Sequence, residues 1–326
     1  MPLVKDGFEN LSYIRMPLNR HSAERERTEW ITQQLLNPSA LFLPIWKHLN
    51  LTDISRPEKP GLFLLEMPRV RSDFDNGKYP VYLGHLGNDP VFSAGIDADD
   101  ETAANNWAAG LGLSARFVDL RHIGPLLKQQ ESAIMAYARG LHYWHSQNGH
   151  CSRCGTHNES RRGGHVRICM NADCGREAYP HINPAVIMLV EQARPNDGIP
   201  RCLLGRHSGL PKKVYSTLAG YVDPGETLEE AVAREVLEEA GIHIDDAHYL
   251  ASQPWPFPSS MMFGFHATTS QSRISVDNDE LEDAQWFTRE ELLGFGEYDD
   301  PDSTLALPRR DSIARNLINL WIDKYG

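Results

Sequence analysis

A chain of 326 residues, 41% hydrophobic and 23% charged, has material for more than one domain, each with its own core. Its formal net charge of −12 excludes an overall electrostatic footprint for nucleic acid, so an anionic substrate must be met by metal ions and local basic residues. The opening MPLVKDGFENLSYIRMPLNR lacks the apolar centre of a signal peptide, and no run approaches the ~20 apolar residues of a membrane span. Four of five cysteines cluster, which suits a reducing compartment, and the expectation is a cytoplasmic protein with no membrane partner.

Residues 1–125 read as a mixed α/β domain without a catalytic motif. Apolar runs at 61–65 and 79–83, bounded by Gly, Pro, Asn and Asp, predict strands, with a turn at Asn76-Gly77. A helix is expected over 102–111 and a short strand over 115–121. Within 126–148, Ile134, Ala138, Leu141 and Trp144 recur at spacings of four and three, which predicts a connecting helix.

Residues 149–178 carry CSRC and CMNADC. Cys151, Cys154, Cys169 and Cys174, two thiol pairs either side of a short hairpin, are what tetrahedral Zn²⁺ requires, and four thiolates leave no open catalytic position. Disulfides are the competing account, and His157 and His165 could substitute as ligands. The metal's role is structural, because the ribbon is too small to hold itself together.

Residues 179–326 read as a second mixed unit. Strands are expected at 185–190, 201–205, 216–219, 249–251, 261–266 and 281–287, with a closing helix over 311–325. A mixed sheet flanked by helices is the expected α+β arrangement. No internal repeat is evident from residue patterns. Arg206, His207, Lys212 and Lys213 are the local basic candidates, although loop solubility explains any one of them equally well.

The centre of this unit is GYVDPGETLEEAVAREVLEEAGI at 220–242. Asp223-Pro224-Gly225 is turn chemistry, Thr227 and Glu230 form a capping-box pattern, and Gly241 sits where a helix ends in the left-handed region. Between them, Leu228, Val232, Val236 and Ala240 make a buried stripe. Glu235, Glu238 and Glu239 fall at i, i+3 and i+4, so three like charges share one patch. A hard divalent cation, Mg²⁺ or Mn²⁺, resolves that repulsion and brings phosphate oxygens with it. A solvated acidic face is the competing account of EVLEE alone; the glycine loop and Arg234 in register weigh against it.

Gly220, Glu226, Arg234-Glu235, Glu238-Glu239 and Gly241, with aliphatic Val236 and Ile242, fill every fixed position of the Nudix box. The chain thus resembles the Nudix hydrolases, which implies an α/β/α sandwich and cleavage of a diphosphate bond.

Further on, SQPWPFPSS at 252–260 is stiffened by its prolines. It presents Trp255 and Phe257 as flat faces, with Gln253, Ser259 and Ser260 as hydrogen-bonding groups. A rigid loop packing its aromatics into the core or a subunit contact is an equal account of the segment alone. The segment is similar to the array that follows the Nudix box in NADH pyrophosphatases, a subfamily that also carries a four-cysteine ribbon before the box. Such enzymes split NAD(H) into nicotinamide mononucleotide and AMP, and bacterial members remove NAD caps from RNA 5′ ends.

This resemblance implies that Glu235, Glu238 and Glu239, the carbonyl of Ala219 and Glu280 hold the catalytic Mg²⁺ or Mn²⁺. Glu280 is a further acidic ligand or base, and several carboxylates compete for the proton-accepting role. The resemblance also implies stacking of Tyr221 and Trp255 on the nicotinamide. Tyr179, Gln253, Pro254, Pro256, Phe257, Pro258, Ser259, Ser260 and Ala314 would complete the pocket, in a homodimer.

Overall fold

The computed structural model describes residues 6–66, 80–111, 114–192, 195–276 and 281–326, and the chain divides into two compact units. The turn expected at Asn76-Gly77, Tyr79 of the expected 79–83 strand, and Glu280 lie outside the described residues.

One unit comprises residues 12–182 with 255–259. Its elements begin with α1 (Thr28–Leu35), β1 (Leu41–Trp46), β2 (Leu49–Asp53), β3 (Gly61–Leu62), β4 (Leu65–Glu66), β5 (Val81–Leu86) and β6 (Asp89–Gly95). Then come α2 (Glu101–Gly110), β7 (Ala115–Val118), α3 (Leu120–Ile123) and α4 (Gln129–Gln147). The sheet runs β3-β2-β1-β6-β5, with β4 on β1 and β7 on β2. One core lies under α4 and includes Leu43, Leu83, Ile134, Ala138 and Leu141. The other holds Phe42, Phe92, Ala104 and Ala108.

Two expectations need correction here. The run at 61–65 is two short strands rather than one. The strand at 115–121 stops at Val118, because the Asp119 carboxylate accepts from the Arg121 amide and caps α3. The central strand β1 has no signature in the sequence: LFLPIW is apolar throughout, so no alternation marks it, and Pro44 argues against a strand by rule.

A three-stranded ribbon closes this unit, with β8 (Asn158–Arg161), β9 (Val166–Cys169) and β10 (Glu177–Ala178) in the order β10-β9-β8.

The second unit comprises residues 1–11, 183–254 and 260–326. Its elements are β11 (Asn183–Gln192), β12 (Arg201–His207), β13 (Leu218–Tyr221), α5 (Leu228–Ala240) and β14 (Asp246–Trp255). They continue with β15 (Ser260–Thr269), β16 (Leu281–Thr288), α6 (Arg289–Leu293) and α7 (Ile313–Lys324). The sheet runs β14-β15-β11-β12-β16, with β13 on β11. β11 reads NPAVIMLVEQ and is buried on both sides, as a central strand parallel to β15 must be. Val186, Met188, Val190, Phe265 and Ala267 pack beneath Val232, Val236 and Ala240 of α5. On the other face Gly264 of β15 lets Ile313 of α7 approach, since a Cβ there would lie 2.6 Å from its Cδ1. The sandwich is therefore α5, sheet, α7. The proline-bearing strand β14 sits at the sheet edge, where its missing donors are tolerated.

The two sheets share one topology, which corrects the expectation of no internal repeat. β1 pairs parallel with β6 and antiparallel with β2 and β4. β11 likewise pairs parallel with β15 and antiparallel with β12 and β13. β7 flanks β2 as β16 flanks β12. The second sheet carries α5 between its β13 and β14. The first has at that place the stretch MPRVRSDFDNGKY, which contains no glutamate. The repeat is one of strand order, invisible to a search for repeated residues.

Candidate active site

α5 is built by local rules. The Glu230 amide donates to Thr227 Oγ1 at 3.2 Å, and the Glu230 carboxylate accepts from the Thr227 amide at 2.7 Å. This reciprocal cap contributes about 1 kcal/mol. Gly241 ends the helix at φ +67°, a conformation only glycine adopts freely. Val232, Val236 and Ala240 are fully buried and Leu228 is half-buried, so the helix has one fixed rotation. That rotation decides where the glutamates go.

Glu235 and Glu239 are turned inward, 7% and 2% exposed, whereas the Glu238 side chain is 56% exposed. Buried carboxylates four residues apart repel, and Arg234 answers part of that charge. Its Nη1 donates to Glu235 Oε1 at 2.8 Å and to Glu238 Oε2 at 2.9 Å. Its Nε and Nη2 grip both oxygens of Glu226 at 2.6 and 3.0 Å, and Nη2 also donates to the Tyr221 carbonyl at 2.8 Å. Only a planar guanidinium fork reaches so many acceptors at once. The Arg234 bonds, with the Asp223 amide, hold the Glu226 carboxyl down at about 2. The loop before the helix is thereby tied to it.

Gly220 is needed for contact rather than conformation. A Cβ there would lie 1.9 Å from the carboxyl carbon of Glu235. The β13 backbone therefore approaches the Glu235 carboxylate directly, next to Ala219 in the register Ile187↔Ala219. On the far side, His207 Nδ1 at the end of β12 lies 3.8 Å from Glu239 Oε1. Of the basic residues expected to help, His207 alone is placed against an α5 carboxylate. Arg206 lies 3.3 Å from Glu282, and Lys213 donates to the Asp300 carbonyl.

The donor set fits a hard divalent cation: it is all oxygen, the fold inserts two of its carboxylates, and glycine keeps a backbone at hand. The cysteines fit a softer ion. Among the described residues they form the one tight cluster of metal-ligating side chains, with every Sγ within 4.8 Å of the others. Cys151 and Cys174 are 3.8 Å apart and Cys154 and Cys169 3.4 Å, close to the spacing that Zn–S bonds of ~2.3 Å impose on a tetrahedron. His165 is engaged elsewhere, its Nε2 lying 2.8 Å from the Tyr82 carbonyl.

The family models match the same two units. Residues 181–307 match the NUDIX domain, and residues 36–144 match the NADH pyrophosphatase-like rudimentary NUDIX domain. Human NAD-capped RNA hydrolase NUDT12 is 41% identical over 351 residues, covering 94% of this chain and 72% of that protein. The chain belongs to the Nudix hydrolases. NAD-capped RNA hydrolase NudC of Stutzerimonas stutzeri (strain A1501) is 36% identical over 240 residues, 74% of this chain and 76% of that one. NudC of Mycobacterium bovis (strain BCG / Pasteur 1173P2) is 39% identical over 279 residues, 80% of this chain and 86% of that one.

The Nudix helix is thus α5, and the remaining expected site residues can be placed around it and apart from it. Tyr221 is 55% exposed at the end of β13, its ring available to a ligand. Gln253 is fully buried: Nε2 donates to the Asp311 carbonyl at 2.7 Å and Oε1 accepts from the Ile313 amide at 2.8 Å. Its amide therefore fastens the SQPW strand to the start of α7, beside buried Ala314, rather than being left open to a ligand. Pro254 is half-buried and Ser260 is buried where β15 begins.

Trp255, Pro256, Phe257, Pro258 and Ser259 belong to the other compact unit, as does Tyr179, whose hydroxyl pairs with Glu177 and Arg162. A cleft of ≈ 480 Å³ in that unit, lined by Trp46, Lys47, His142, His145, His157 and Arg167, contains none of the residues expected to bind substrate. The fork of Arg234, the Gly220 contact and the His207–Glu239 approach were not read from sequence. The box pattern flags Gly220 and Arg234 but gives no reason for them, and His207 stands out only as one of four basic candidates, with nothing local to pair it with Glu239.

Proposed function

We propose that this Nudix hydrolase cleaves the central diphosphate of nicotinamide adenine dinucleotides to nicotinamide mononucleotide and AMP, acting on free NAD(H) and on NAD at RNA 5′ ends. The observation that carries the chemistry is the insertion of Glu235 and Glu239 into the protein beside Gly220 and Arg234. A solvated acidic face does not bury its carboxylates. Support for the substrate comes from SQPWPFPSS, from the rudimentary domain of NADH pyrophosphatase type, and from relatives named as NAD-capped RNA hydrolases.

Glu235, Glu238 and Glu239, with the Ala219 carbonyl and Glu280, would hold Mg²⁺ or Mn²⁺. When bound, the metal neutralises the diphosphate and lowers the pKa of the attacking water. Arg234 holds Glu235 and Glu238 in place by two bonds from one nitrogen. Gly220 lets the β13 backbone come alongside Glu235. Water adds to one phosphorus, the bridging P–O bond breaks, and the proton passes to a carboxylate of this cluster. Most of the acceleration is positioning and charge stabilisation. Tyr221 and Trp255 would stack on the nicotinamide, a contact worth ~1–3 kcal/mol per ring. The four cysteines would hold a structural Zn²⁺. By the same resemblance we place the protein in the cytoplasm as a homodimer, which light scattering tests.

Product analysis by mass spectrometry after incubation with Mg²⁺ and either NADH or NAD-capped RNA tests the proposal. Equimolar mononucleotide and AMP, or mononucleotide and 5′-monophosphate RNA, are expected. Nicotinamide with ADP-ribose, or no turnover, would overturn it.

A further inference from the structure

Residues 255–259 are built into the unit that does not carry the Nudix box. Phe257 is buried in the core under α4, with Tyr13, Ile123, Ile134, Ala138 and Leu141, and Trp255 packs at the edge of that core. The three rings close a triangle of edge-on contacts. Tyr13 lies 6.0 Å from Trp255 and 5.7 Å from Phe257, and the two loop aromatics are 5.1 Å apart. Two cations address the Phe257 ring, the guanidiniums of Arg121 at 5.0 Å and Arg139 at 4.7 Å.

Arg139 does more than cover the ring. It projects from α4, is 5% exposed, and donates from Nη1 to the Pro256 carbonyl and from Nε to the His48 carbonyl at 3.1 Å. Burial pulls its pKa below the ordinary arginine value, with Asp119 the nearby acid opposing that. A guanidinium is an expensive core filler, since its charge must be desolvated. A leucine would pack under α4 without that cost. What a leucine cannot do is hold the backbone of residues 256–259, which has few donors of its own and lies outside the strands β14 and β15. Arg139 meets Pro256 at its carbonyl and Phe257 at its face, between the two aromatic side chains.

We infer that Arg139 is a positioning residue for substrate choice: through Pro256, Phe257 and Tyr13 it fixes the Trp255 indole and with it the selectivity for the nicotinamide end. This rests on the reading that Trp255 stacks on that ring. Arg139 touches no reacting atom, so its loss acts on dinucleotide selectivity and leaves the diphosphate chemistry in place.

The experiment combines two readouts on the full chain, wild type and Arg139→Met. Hydrogen exchange of the free protein reads the anchor without any substrate. The peptide spanning 253–260 is expected to exchange ~10-fold faster in the variant while α5 is unchanged. Steady-state kinetics then read the consequence. KM for NADH is expected to rise ~10-fold with kcat within about twofold, and the parameters for ADP-ribose to hold within about twofold. Arg121→Met, at an exposed position over the same ring, should move both readouts the same way by less, and gives the answer if Arg139→Met does not fold. Arg139→Lys, which keeps the charge and one donor, should recover part of both. Unchanged exchange at 253–260 overturns the anchor. Faster exchange with an unchanged NADH to ADP-ribose ratio overturns the role in selectivity. A wild type that does not prefer NADH to ADP-ribose defeats the underlying stacking reading, and is recognised before any variant is compared.

Discussion

At Gly220 a single missing carbon decides whether β13 can lie against the Glu235 carboxylate, since a Cβ would fall 1.9 Å from it. Gly220→Ala must push Glu235 away or lift the strand. The expected result is a fall in kcat of ~10²-fold, the scale of a 1 Å misplacement, with KM less affected. The residue is legible in the sequence as a fixed position of the box, but the reason for it is a contact between elements and appears only in three dimensions. Glu226 gives a pH prediction. Its carboxyl is held at about 2 by Arg234 and the Asp223 amide. A depressed carboxylate contributes stability that is complete above its unfolded value of ~4.3 and is lost as pH falls through about 2. The urea midpoint of Glu226→Gln should therefore lie below that of the wild type at pH 7, and the gap should close between pH ~4.3 and 2. A gap that persists at pH 2 would separate Glu226 from this ion pair.

At the scale of elements, what the sequence makes legible follows how local the determinants are. The bounds of α5 are legible because its start, its stop and its stripe are all local: Thr227 with Glu230, Gly241, and Val232-Val236-Ala240. Thr227→Ala should cost about 1 kcal/mol in equilibrium unfolding, read as a lower urea midpoint with an unchanged slope. β1 is not legible, because its apolar run LFLPIW is fixed by neighbours on either side, and no local rule distinguishes it from a buried helix segment. The SQPWPFPSS segment shows both cases. Its stiffness and its exclusion from a central strand follow from proline chemistry, and β14 is indeed an edge strand. That Gln253 would pin α7, and that Phe257 would be buried beside Arg139, depends on parts of the chain far from it in sequence.

For the whole molecule, one strand order appears twice, and the copy built around β11 carries the carboxylate helix α5 after β13. The other copy holds its core and carries the ribbon, and it keeps Trp255 and Phe257 in its own packing. The four sulfurs of the ribbon are gathered tightly enough to need a cation or protons between them. Chelation or Cys169→Ser should therefore unfold the ribbon, seen as early proteolysis within 149–178, while α5 keeps its protection from exchange. The central claim is that buried carboxylates of α5 drive cleavage of the diphosphate. Its most direct test is turnover of NADH by Glu239→Gln with saturating Mg²⁺, alongside a thermal melt. A loss of ~10²-fold or more in kcat with a melt like that of the wild type is predicted; turnover within twofold of the wild type would contradict it.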